Sequence, residues 1–156
     1  YEEAIVCFQE SIKIAQECGD KITEGTNIGS LGKIFFDLNR LEEAKAALLQ
    51  SIEICEVSVP PAAGTFRGIL GVLYATEGTF QKAFAELEKG EPLIAEMPSE
   101  YGEFLCEKAT VMHLAGRSKN AKQALEQAEN IAIAISVKEY SALEKAIRET
   151  KKILLW

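Results

Sequence analysis

Apolar residues recur along this chain at spacings of three, four and seven, which predicts helices with one covered face, and strand-like alternation is absent. A longer period overlies that pattern. Tyr1-Glu2-Glu3-Ala4 is followed 40 residues on by Leu41-Glu42-Glu43-Ala44, 39 further by Phe80-Gln81-Lys82-Ala83, and 38 further by Ser118-Lys119-Asn120-Ala121. In each copy an apolar residue stands four after the alanine (Phe8, Leu48, Leu87, Leu125) and a small one seven after it (Ser11, Ser51, Gly90, Ala128). These spacings place all three positions on one helix face.

A second helix precedes three of those four. Leu31-Gly32-Lys33-Ile34-Phe35 matches Leu70-Gly71-Val72-Leu73-Tyr74 at the same distance before the alanine, and Lys108-Ala109-Thr110-Val111-Met112 is a weaker version. A glycine inside a helix costs roughly 0.5–1 kcal/mol against alanine, so Gly32 and Gly71 in register predict close backbone approach within each helix pair. Turns fall at Asn39-Arg40, Gly78-Thr79 and Gly116-Arg117, and breaks between pairs at Gly19-Asp20, Pro60-Pro61 and Pro98-Ser99. The resulting expectation is seven to eight helices in a single domain spanning 1–156. It comprises a lone helix at 1–18, pairs at 20–57, 62–97 and 99–136, and a capping helix within 137–156.

Asp20 and Ser99 are candidate N-caps, and either Ser136 with Glu139 or Ser141 with Glu144 forms the capping box of the last helix. Pro92 predicts a kink or break in the second helix of the third copy, read as a functional hinge or a tolerated local defect. Residues 1–18 read as the second half of an interrupted repeat, or as an N-terminal cap. On the first reading, the chain is a fragment of a larger protein, and the face bearing Ile5, Phe8 and Ile12 lacks its neighbour and pairs with a second copy. The final helix has a wet face carrying Glu144, Lys145 and Arg148 and a dry face of Leu143, Ile147 and Leu154; Trp156 reads as a packing residue or tail.

Composition narrows the function classes. A net charge of −7 without a basic cluster argues against nucleic acid. The longest apolar runs, Ala4 to Phe8 and Ile131 to Ile135, are too short to cross a bilayer. Cys7, Cys18, Cys55 and Cys106 have no short pair spacing and read as small buried hydrophobes in a reducing, cytoplasmic setting. With His113 the sole histidine, neither a metal cluster nor a cysteine–histidine catalytic pair is indicated, and no motif for a cofactor is present. The expectation is a binding protein and no enzyme.

Leu-Gly-x-x-Phe/Tyr on one helix, then Ala-x-x-x-Phe/Leu-x-x-Ser/Gly/Ala on the next, resembles the tetratricopeptide repeat. The resemblance covers nearly the whole chain but departs in period, 38 to 40 residues against the usual 34. The stretch from Leu87 to Glu144 is also similar to C-terminal repeats of multidomain bacterial signalling regulators, which carry kinase, cyclase or ATPase domains upstream. The implied fold is an all-α, right-handed α-solenoid of antiparallel helix pairs, about three and a half repeats plus a capping helix.

The resemblance also implies that partners bind on the concave surface lined by the first helix of each pair. There the candidates are Ser30, Lys33 and Asp37 from the first complete pair; Thr65, Ile69, Val72 and Thr76 from the next; and Glu103, Cys106, Glu107, Thr110 and His113 from the last. Members of the family that grip C-terminal carboxylates use Lys, Asn and Arg at such points. Here only Lys33 is basic, while Ile69 and Glu107 stand where that clamp needs polar or basic groups. A groove apolar in the middle and acidic at its far end suits an amphipathic or basic protein segment. The expected function is therefore a protein-interaction or regulatory scaffold; the alternative is a self-assembly module that forms homodimers through the N-terminal half repeat.

Overall fold

Eight helices and no strand occur among residues 1–155, which the computed structural model describes; Trp156 lies outside them. They are α1 (Glu2–Cys18), α2 (Lys21–Asp37), α3 (Leu41–Ser58), α4 (Pro60–Thr76), α5 (Phe80–Ile94), α6 (Pro98–Leu114), α7 (Ser118–Ala134) and α8 (Ala142–Leu154).

One local device makes all three hairpins. Asn39, Gly78 and Gly116 each follow a first helix with a left-handed backbone, φ 58°, 74° and 73°. The next residue then donates its amide back to a carbonyl of the last turn: Arg40 to Phe35 at 2.8 Å, Thr79 to Tyr74 at 2.9 Å, Arg117 to Met112 at 2.8 Å. This closure satisfies carbonyls that the helix end leaves free, and glycine or asparagine reaches that conformation at least cost. Turns this short fold each second helix back against the first.

The starts of the first helices differ. Asp20 caps α2 by accepting from the Thr23 amide, and Ser141 caps α8 by accepting from the Glu144 amide at 3.2 Å, which resolves the two candidate boxes. Ser99 is not a cap: α6 begins one residue earlier at Pro98, and α4 likewise begins on Pro60 rather than after the Pro60-Pro61 pair. Proline fits a first turn, where its missing amide would have no partner. Pro92 does not break α5. The helix runs through it and ends two residues later at Ile94, so the lost hydrogen bond falls in the final turn.

Pairs stack through shared apolar layers. Each first helix packs most extensively on its own second helix (α2 on α3, α4 on α5, α6 on α7), while α3 rests on α4, and α6 leans more on α4 than on α5. Of the four recurring alanines, Ala44, Ala83 and Ala121 are fully buried, as are Leu48, Ser51 and Ala128, while Ala4 and Ser11 of the first copy are half-buried. Ser51 secures its position by donating to the Gly25 carbonyl at 2.6 Å. Arg67 on α4, only 8% exposed, is ion-paired on both sides, to Glu56 of α3 and Glu86 of α5.

Three expectations are corrected. At Gly71 a Cβ would lie 3.4 Å from its nearest neighbours, an ordinary contact, so that glycine is not demanded by crowding. The tight approach of α4 to α5 is at Gly64 and Gly90, where an added Cβ on either would come within 3.0–3.1 Å of the other's carbonyl oxygen. Cys55 and Cys106 are buried, but Cys7 and Cys18 are exposed, because α1 packs on α2 alone among the helices. For the same reason the open face of α1 is not the one bearing Ile5, Phe8 and Ile12. Ile5 is 6% exposed, and Phe8 and Ile12 pack against the core beside it; the open face carries Val6 and Ile14, 51% and 60% exposed.

Candidate functional site

The first helices α2, α4 and α6, with α8 continuing the series, form the walls of a groove. Two adjoining cavities, of about 430 and about 210 Å³, share Lys33 and Asp37 from α2, Ile69 from α4, and Glu103 and Glu107 from α6. Ser30 and Thr65 line the first; Val72, Cys106 and Thr110 line the second. Ten of the twelve candidate residues thus converge. Thr76, exposed in the last turn of α4, and half-buried His113, in the last turn of α6, line neither cavity.

Sequence reasoning missed the contribution of the last helix. Ala146, Glu149, Thr150 and Ile153 of α8 complete the wall beside Cys106 and Thr110. The signal was present in the i, i+3, i+4, i+7 spacing of those four residues, which marks one helix face. Curvature adds a further neighbour: Tyr1 lines a cavity of about 460 Å³ with Lys33 and Glu103 and with Ala142 and Lys145 of α8. The two ends of the array therefore share a wall.

Three hydroxyl donors in the groove are already committed. Ser30 donates to the Thr26 carbonyl at 2.9 Å, Thr65 to Pro61 at 3.4 Å, and Thr110 to Cys106 at 3.0 Å, each one turn back on its own helix. What the wall offers a partner is mostly acceptors, and the sharpest is Glu107. Its Oε2 is out of solvent without a hydrogen-bond partner. It lies directly over Gly68 of α4, where a Cβ would come within 1.8 Å of it. Burial pushes this carboxyl from 4.5 up to about 8, with Lys33 opposing the rise and Glu103 adding to it. Burial raises Glu103 as well, again against Lys33 and with Glu100.

Cys106, also in the wall, has its thiol pushed up to about 12 by burial, which leaves it a thiol rather than a nucleophilic thiolate. Among the described residues no group of three or more His, Cys, Asp or Glu is arranged to hold a metal ion, and no helix is long and apolar enough to cross a membrane.

Helical hairpins stacked so that their first helices line a groove define a helical repeat protein. Residues 28–57, the second half of α2 with most of α3, match the tetratricopeptide repeat family model, and the array around them has the all-helical, stacked-hairpin architecture of a tetratricopeptide-like solenoid. Such repeats mediate protein–protein interaction. Among curated proteins none matches the chain.

Proposed function

We propose that this domain is a protein-interaction or regulatory module that binds a segment of another protein in the groove walled by α2, α4, α6 and α8. The observation that carries this reading is the convergence of an apolar patch, Ile69 and Val72, with the charged groups Lys33, Glu103 and Glu107 in adjoining cavities. Four free cysteines support a reducing, cytoplasmic setting for it. Peptides selected from a random displayed library report on the proposal through methyl chemical shifts of the labelled domain. Shifts at Ile69, Val72 and Ile153 are expected; peptides that perturb only outer-face residues such as Leu49 or Ile133 would refute it.

A second reading rests on the open face of α1, where Val6 and Ile14 stand exposed. A second copy covering that face forms a two-fold dimer. Sedimentation distinguishes it: a concentration-dependent dimer dissolved by Val6→Glu and Ile14→Glu supports self-association, and a monomer at high micromolar concentration refutes it.

A further inference from the structure

Glu107 is held in a state that its own fold leaves unfinished. A buried acceptor without a donor is destabilising, and buried polar groups are as a rule paired. Gly68 supplies the recess: any side chain there would displace the carboxyl, since even a Cβ would meet Oε2 at 1.8 Å. The charges facing Glu107 are Lys33 and Asp37 from α2, Glu103 beside it on α6, and Glu149 from α8. From α4 it meets Gly68 and Ile69, because Arg67 is engaged with Glu56 and Glu86. Lys33 forms no ion pair among the described residues and stands against Asp37, Glu103 and Glu107, while Glu149 has Lys145 of its own helix 3.9 Å away. With the Ser30, Thr65 and Thr110 hydroxyls donating within their own helices, Lys33 is, among the described residues, the one cation lining the two cavities, whose other charged groups are all acidic.

We infer that Glu107, with Glu103, anchors a Lys or Arg side chain of the bound protein segment, while Ile69 and Val72 take the apolar stem or residue beside it. The inference rests on the groove reading and specifies its occupant. A guanidinium or ammonium entering the recess supplies the donor that Oε2 lacks and offsets the excess of negative charge. Because the buried carboxyl holds its proton near neutrality, the arriving cation displaces it, and binding releases a proton to solvent.

The test uses peptides selected from a random displayed library on the wild-type domain. Enriched sequences are expected to carry Lys or Arg next to an apolar residue. Replacing that basic residue by norleucine, or Glu107 by Gln, should each weaken binding by about tenfold, and combining both should weaken it little further. Groove-binding peptides with no basic residue, or unchanged affinity for Glu107→Gln, overturn the anchor and leave the groove reading intact. Methyl shifts confined to the outer face overturn the groove reading itself. Should Glu107→Gln fail to fold, wild-type calorimetry at pH 7 in buffers of differing ionisation enthalpy decides: proton release supports the anchor, and none overturns it.

Discussion

Glu107 ties the groove to the stability of the chain. Its carboxyl titrates near 4.5 when unburied and at about 8 in the fold. Below the lower value both states hold the proton, and folding bears no penalty. As pH rises from about 5 to 8 the unfolded chain ionises first, so the stability tied to this group is lost across that interval, and above 8 the penalty is complete. Glu107→Gln should therefore match the wild type near pH 4 and exceed it at pH 8 by about 4 kcal/mol, read from urea midpoints. A difference independent of pH would mean the carboxyl is solvated. The position of Glu107 in the groove was legible from the repeat register. Its burial was not, because Gly68 belongs to a different repeat and no pattern within α6 announces the contact. Cys7 and Cys18 failed for a related reason: residue type favours burial, but exposure depends on which side of a helix has a neighbour.

Helices and turns were legible because their causes are local. Period, glycine or asparagine after the last turn, and the carbonyl closure that follows all lie within about ten residues of sequence. Proline was harder to read, since the same residue breaks a helix in its interior and opens one at its first turn; Pro60 and Pro98 do the latter. Glycines divide by what they face. Gly71→Ala should be neutral or stabilise by about 0.5–1 kcal/mol, since its Cβ meets only ordinary contacts and alanine favours the helix. Gly64→Ala places a Cβ 3.0 Å from the Gly90 carbonyl and 3.1 Å from Ile94, and should cost about 1–3 kcal/mol despite the same propensity gain. Thermal unfolding of the two variants checks the register, and equal effects would show that α4 and α5 approach elsewhere. Ion pairing across repeats obeys the same limit on legibility. Nothing near Arg67 in the sequence marks it as buried, because Glu56 and Glu86 reach it from flanking helices.

At the scale of the molecule, stability in a repeat array is close to a sum of repeat and nearest-neighbour terms. The ends of this array are unequal. α1 packs on α2 alone and leaves Val6 and Ile14 in solvent, while α8 packs on both α6 and α7 and buries Leu143, Ile147 and Thr150. α4 touches α2, α3, α5 and α6 and holds Leu70 and Leu73 fully buried. The repeat itself was legible from its period, but the curvature that sets Tyr1 beside α8 was not, because small rotations per repeat accumulate without a local signature. Local opening should follow the inequality. Amide hydrogen exchange should be fastest in α1, slower in α8 and slowest in α4, with α1 opening far below the global unfolding free energy. Ile5→Ala sharpens the test, since Ile5 is the buried anchor of α1. It should accelerate exchange in α1 while leaving α6 and α7 unchanged. Equal acceleration in every helix would instead mean that the array opens as one cooperative unit, with its first helix as integral as its centre.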